Sequence, residues 1–237
     1  MNTLERLDAC LDLPEDERML LASVQALART QIAARAEQYD RSAEFPWDNV
    51  RAINALGLNA MFIPEAYGGA PMSYTAYLAC VREISKACAA TGIIWATNFH
   101  GIKPVISYGS GEQKARLLPR VAAGGLVSLV ITEASAGSDA TGMKTRFEAQ
   151  GDDIVVNGSK IFITNGDVAD LLLVFGKWSG IADAKGAISA LIVEKGTPGL
   201  SVLRTEDKLG MRASGTAALS FDGCRVPRAN LSLACDR

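Results

Sequence analysis

Apolar residues recur at helical spacing over the first half of the chain and in short runs over the second. Residues 14–42 read as helix, with Leu20, Leu21, Val24, Leu27, Ala28 and Ile32 on one face. Pro14 and the acids Glu15, Asp16 and Glu17 suit a first turn, where negative charge meets the positive helix end. Phe45-Pro46 opens a short helix with Trp47, Val50, Ile53 and Leu56 as its buried face, and Gly57 ends it. Residues 58–72 are irregular, broken by Pro64, Gly68, Gly69 and Pro71. Ser73 is the N-cap of a helix reaching about residue 90. The next helix, 91–108, is apolar almost all round and so expected to be buried, and 111–123 is the last.

Near Gly124-Gly125 the period changes. Strand candidates are 127–132, 146–150, 154–156, 160–164, 171–175, 188–193, 200–203 and 217–221. Gly151-Asp152-Asp153 is a hairpin turn signal, and 179–186 is a polar loop. The spacing predicts an α+β chain: an all-α helical domain over 1–125, a small all-β barrel or sandwich over 126–231, and a tail over 232–237.

Composition narrows the function classes. The chain has 237 residues, 49% of them hydrophobic, enough for a substantial core. A net charge of −2 gives no electrostatic case for nucleic acid or an anionic membrane. No run of about 18 apolar residues supports a membrane span. The acidic N-terminal residues resemble neither a secretory signal nor a transit peptide, which points to a cytoplasmic protein. The 5 cysteines are scattered without a CxxC pair and read as reduced thiols, not a disulfide frame or a metal site. His100 is the lone histidine, so a histidine-based metal centre or triad is unsupported; it reads as a core or interface residue.

One stretch carries the chemistry. Residues 126–145, LVSLVITEASAGSDATGMKT, run from a β-branched strand into small and hydroxyl residues, where a backbone can approach a flat ligand closely. Residues 157–166, NGSKIFITNG, repeat the plan of strand then turn. Neither is a Walker A loop or a GxGxxG fingerprint. By themselves these features fit an ordinary strand and loop equally well.

The wording is more specific. ITEASAGSDATGMKT, NGSKIFITNGDVAD and KLGMRASGTAALSFDGCRVP, in this order and spacing, resemble the middle domain of acyl-CoA dehydrogenases, and FIPEAYGG resembles that family's inter-helix loop. The resemblance runs from about Pro14 to about Leu231. It implies FAD, with Leu129, Ile131 and Thr132 lining the flavin on one strand and Gly137 and Ser138 on the loop beside it. Phe162, Ile163 and Thr164 would form the second wall; many members carry Trp where this chain has Phe162. Ser138 also matches a position that contacts the acyl-CoA substrate. Thr97 and Asn98 would border the acyl pocket or belong to a core helix, and Glu133 would be loop framework. Arg204, Lys208 and Arg212 would face the CoA phosphates or form a solvated surface.

The implied reaction is α,β-dehydrogenation of an acyl-CoA to a trans-2-enoyl-CoA, with an electron-transferring flavoprotein as acceptor. In the family the carboxylate base lies in a third, C-terminal helical domain that also builds a homo-oligomer. The resemblance stops where that domain should begin, so no catalytic residue is assigned and this chain alone is expected to have little activity. A truncated dehydrogenase is the first expectation. The alternatives are a half-enzyme completed by a helical partner subunit, a flavin-dependent monooxygenase on the same scaffold, and a binding module without cofactor.

Overall fold

The computed structural model describes residues 12–182 and 187–233. The first helical stretch is one rod in three segments: α1 (Glu15–Leu27), a π-helical turn (Ala28–Ile32) and α2 (Ala33–Ser42). Leu21, Val24, Leu27 and Ile32 bury the expected face. Glu17, one of the first-turn acids, is itself buried and accepts from the Ser73 hydroxyl at 2.7 Å. It therefore ties α1 to the start of α4 (Tyr74–Ala87), which Ser73 also caps by accepting from the Ala76 N–H.

The remaining helices are α3 (Trp47–Ala55), α5 (Ala89–Tyr108) and α6 (Gly111–Ala122), with single 3-10 turns at Leu58–Phe62 and Glu65–Tyr67. Two expectations need correction. Trp47 is exposed and lies against Phe45 at 4.6 Å, while Val50 and Ile53 are buried and Leu56 packs against the core. The fourth helix stops at Ala87, not at 90: Cys88 is extended, at φ −156°, and α5 starts directly after it. α5 is buried along most of its length, and no helix among the described residues is long and apolar enough to cross a membrane.

The strands are β1 (Val127–Val130), β2 (Arg146–Gln150), β3 (Asp153–Thr164), β4 (Leu171–Trp178), β5 (Ile188–Glu194), β6 (Leu200–Thr205), β7 (Thr216–Pro227) and β8 (Leu231–Leu233). They form one mixed sheet in the order β6-β7-β3-β2-β4-β5-β8, with β1 added parallel to β4. The sheet curls, since Phe147 of β2, Val156 of β3, Val174 of β4, Leu191 of β5 and Leu219 of β7 meet in one core. The two strand candidates at 154–156 and 160–164 are a single strand, β3, interrupted by irregularities at Val156/Gly158 and Lys160/Ile163. β8 lies where a tail was expected and pairs with β5.

Helices and sheet share a second core. Along β4, Leu172 and Val174 face the sheet interior, while Leu171 and Leu173 meet Ile102 and Val105 of α5 and Leu117 of α6. The approach is close at Gly101, where a Cβ would lie 2.6 Å from Val127 Cγ1. Asn98, also on α5, is 2% exposed and accepts from the Val127 N–H at 2.9 Å, satisfying the first donor of β1. Gln113 of α6 donates to the carbonyls of Ala229 and Leu231, each at 2.7 Å, and so holds the approach to β8.

Candidate functional site

β1 and its extended continuation lie beside the far end of β3. The Ile161 N–H donates to Thr132 O at 2.9 Å. Lys160 Nζ donates to Ile131 O at 2.7 Å, and the Ser128 hydroxyl to Thr164 O at 2.6 Å. The two stretches singled out in the sequence are therefore one continuous surface.

The irregularity in β3 decides what that surface presents. Between Lys160 and Ile163 the register with β7 shifts, and Phe162 takes the left-handed region at φ 57°. An L-residue there pays roughly 1–2 kcal/mol. The result is an aromatic ring 59% exposed, flanked by buried Lys160 and Ile163. Leu129, Ile131, Thr132 and Thr164 are half-buried. Neither threonine hydroxyl has a hydrogen-bond partner among the described residues. Ile163 differs from the expectation for a wall residue: its side chain is 2% exposed and packs in the sheet core, so only its main chain is available on this surface.

The loop after β1 is held from beneath. Glu133, 6% exposed, accepts from the Thr145 hydroxyl at 2.6 Å, the Thr145 N–H at 3.0 Å, the Lys144 N–H at 2.6 Å and Lys160 Nζ at 2.9 Å. Burial pushes its carboxyl up, but these donors outweigh burial and hold it below the usual carboxylate range. For Lys160, fully buried, the order reverses: desolvation lowers the ammonium and Glu133 only partly restores it. Gly137 and Ser138 sit exposed on the loop thus pinned at both ends, and a Cβ at Gly137 would meet nothing within 4 Å.

The other candidates fall elsewhere. Thr97 back-bonds to Ile93 O at 2.8 Å, and with Asn98 it belongs to the helix framework. His100 is exposed, which excludes the core position of the two expected and leaves an interface one open: it lies on the side of α5 away from the sheet contact at Gly101 and Asn98. Arg204 pairs with Glu206 at 3.1 Å, Arg212 with Asp207 at 3.7 Å, and Lys208 donates to Ser214 O. Lys208, Arg212 and the acids Asp167, Glu206 and Asp207 line a cleft of about 230 Å³, a mixed-charge surface with its cations already engaged. Sequence reasoning passed over Lys160. Its signal was present: in SKIFIT a lysine occupies an inward position of an alternating strand.

Residues 14–125 match the family described as acyl-CoA dehydrogenase, N-terminal domain, and residues 128–224 match acyl-CoA dehydrogenase, middle domain. The chain belongs to the acyl-CoA dehydrogenase family. A probable acyl-CoA dehydrogenase of Bacillus subtilis, YngJ, is 38% identical over 222 residues, covering 93% of this chain and 58% of that protein. Among solved structures, a glutaryl-CoA dehydrogenase in complex with glutaryl-CoA superposes with a TM-score of 0.89 at 30% identity, over 94% of this chain and 57% of that one. A glutaryl-CoA dehydrogenase from Mycobacterium smegmatis in complex with FADH2 gives a TM-score of 0.85 at 30% identity, over 93% and 56%. The chain therefore spans under three fifths of the length of these family members. Within the family fold, the β1–β3 surface of this chain presents an exposed aromatic ring beside unpartnered hydroxyls.

Proposed function

We propose that this chain carries the helical and β portions of an FAD-dependent acyl-CoA dehydrogenase, which converts an acyl-CoA thioester to a trans-2-enoyl-CoA. The observation that supports this reading best is the hydrogen-bonded β1–β3 surface with Phe162 turned outward. Its donor set fits a flavin. Phe162 offers one aromatic face for stacking, Leu129 and Ile131 offer apolar contact, and Thr132 and Thr164 offer free hydroxyls to a polar ring edge. When bound, FAD supplies the acceptor for the hydride that leaves the β carbon of the substrate.

The chain's own residues bind and orient. Phe162 keeps water from one ring face, the two threonines fix the ring's polar edge, and Ser138 on the exposed loop contacts the acyl-CoA. The α proton needs a carboxylate base within reach. Glu133 is the acid nearest the wall in sequence, and it is unsuited: it is buried, fully hydrogen-bonded and held below the usual range. The base therefore comes from the part of the family fold outside the matched residues. An electron-transferring flavoprotein takes the electrons, and the complete enzyme is a homo-oligomer.

The test is turnover by this chain alone, with acyl-CoA and an artificial acceptor, and again with the remaining family portion supplied in trans. Activity only in the second case supports the assignment. Comparable activity of the chain alone overturns the exclusion of a base from these two domains.

A further inference from the structure

Lys160 lies behind the β1–β3 surface, and no step above uses it. Its side chain is 0% exposed, and Nζ donates to Ile131 O at 2.7 Å and to Glu133 at 2.9 Å. These two acceptors bracket Thr132 in the chain. Burying a charge is costly even when it is paired, and well-packed neutral residues often hold such a place as well. Neutral ties between the two segments are already present: the Ile161 N–H donates to Thr132 O at 2.9 Å and the Ser128 hydroxyl to Thr164 O at 2.6 Å. The ammonium therefore adds something that these ties do not.

The Ile131–Thr132 peptide shows what it adds. It is trans, as are all peptide bonds among the described residues, so its C=O and N–H point in opposite directions. Lys160 draws the carbonyl toward the buried side of the segment, and the Thr132 N–H then points the other way, toward the open side. That N–H has no hydrogen-bond partner among the described residues. An unpaired main-chain donor on a half-buried threonine is an open position for a ligand acceptor. A cation on the carbonyl oxygen polarises the whole peptide unit and makes its N–H a stronger donor.

We infer that Lys160 is a positioning residue for the flavin: acting through the Ile131 carbonyl, it aims the Thr132 N–H at the ring's polar edge and strengthens it where negative charge gathers on reduction. This rests on the FAD reading above. The hydride from the substrate's β carbon carries two electrons and one proton, so that FAD + H− gives FADH− and the ring gains one negative charge. A polarised donor at the ring edge favours the reduced form over the oxidised one. The ratio of the two affinities sets the shift in flavin potential from that of the free cofactor, about 30 mV per tenfold for a two-electron couple.

The experiment measures binding of oxidised FAD, and of FAD reduced anaerobically with dithionite, to this chain and to Lys160→Met, Glu133→Gln and the double variant. The thermal melting of each protein is followed alongside. Lys160→Met is expected to lose about tenfold more affinity for reduced than for oxidised FAD, so that the bound potential falls by about 30 mV. The double variant, which leaves no charge stranded, shows the same discrimination. Glu133→Gln, destabilised to a similar degree but still holding Ile131 O through Lys160, keeps the parent ratio. Loosened packing alone would lower both affinities together in all three variants. An unchanged ratio in both Lys160 variants, or the same change in Glu133→Gln, overturns the inference and leaves the flavin reading intact. Failure of both Lys160 variants to fold does the same, by making the lysine a residue of the fold alone. A parent that binds neither form of FAD overturns both.

Discussion

Lys160 Nζ lies 2.9 Å from Glu133 Oε1, with the lysine side chain fully buried and the glutamate 6% exposed. The same ammonium holds Ile131 O, so one ion pair fixes both the end of the β1 segment and the loop that follows it. Removing one partner of a buried pair strands the other charge and costs about 3–5 kcal/mol. Lys160→Met and Glu133→Gln are each expected to lower the unfolding free energy by about 3 kcal/mol in urea titrations. The double variant should lose clearly less than the sum; additive losses would mean that the two groups do not depend on each other.

The pair also sets an acid limit. Glu133 has its folded-state pKa depressed, so its contribution is present above the unfolded value, near about 4.3, and is lost as pH falls through the folded value below that. In that window the unfolded chain binds more protons than the native one. Lys160, also lowered, acts at the other extreme, where stability rises with pH toward about 10.4. Stability measured from pH 5 downward, by about half-unit steps, should fall less steeply in Glu133→Gln than in the parent. Identical slopes would contradict the assignment.

Phe162 should show strain kept for binding. Gly relieves the left-handed backbone and Ala does not, so Phe162→Gly is expected to be more stable than Phe162→Ala by about 1 kcal/mol, although glycine is usually the more destabilising choice. The ring is mostly exposed, so little burial is lost in either variant. Both should bind FAD less tightly than the parent. A Gly variant less stable than the Ala variant would show that the bend at 162 carries no strain.

The contact between α5 and β1 is a further check. A methyl at Gly101 would stand 2.6 Å from Val127 Cγ1, so Gly101→Ala should cost about 1–3 kcal/mol by overpacking. Adding Val127→Ala removes the obstructing methyls and should recover part of that loss. No recovery would place the strain elsewhere, in the backbone around Ser128, which is also close.

The helical half was legible because its signals are local. Ser73 caps as expected, Gly57 stops α3, and the apolar face through Val24 and Ile32 is buried. β2, at Arg146–Gln150, matches its prediction residue for residue. What escaped depends on distant partners. The bulge at Lys160–Ile163 is a feature of pairing with β7, and no residue between 160 and 163 announces it. β8 exists because Leu231 and Leu233 find β5, about forty residues earlier in the chain. The break between the fourth and fifth helices was expected near residue 90, but its position at Cys88 is not marked by a proline or glycine. At the site, the pairing of the two segments followed from their wording, while the inward turn of Ile163 and the role of Lys160 needed the register.

The most direct measurement is the melting temperature of this chain with and without FAD, in the parent and in the combined variant Phe162→Ala, Thr132→Val. A ligand at about 100 times its dissociation constant adds about 2.7 kcal/mol to the native state. The parent should melt clearly higher with FAD, and the variant should gain little. No FAD-dependent shift in the parent, or the same shift in both proteins, would contradict a flavin site on the β1–β3 surface.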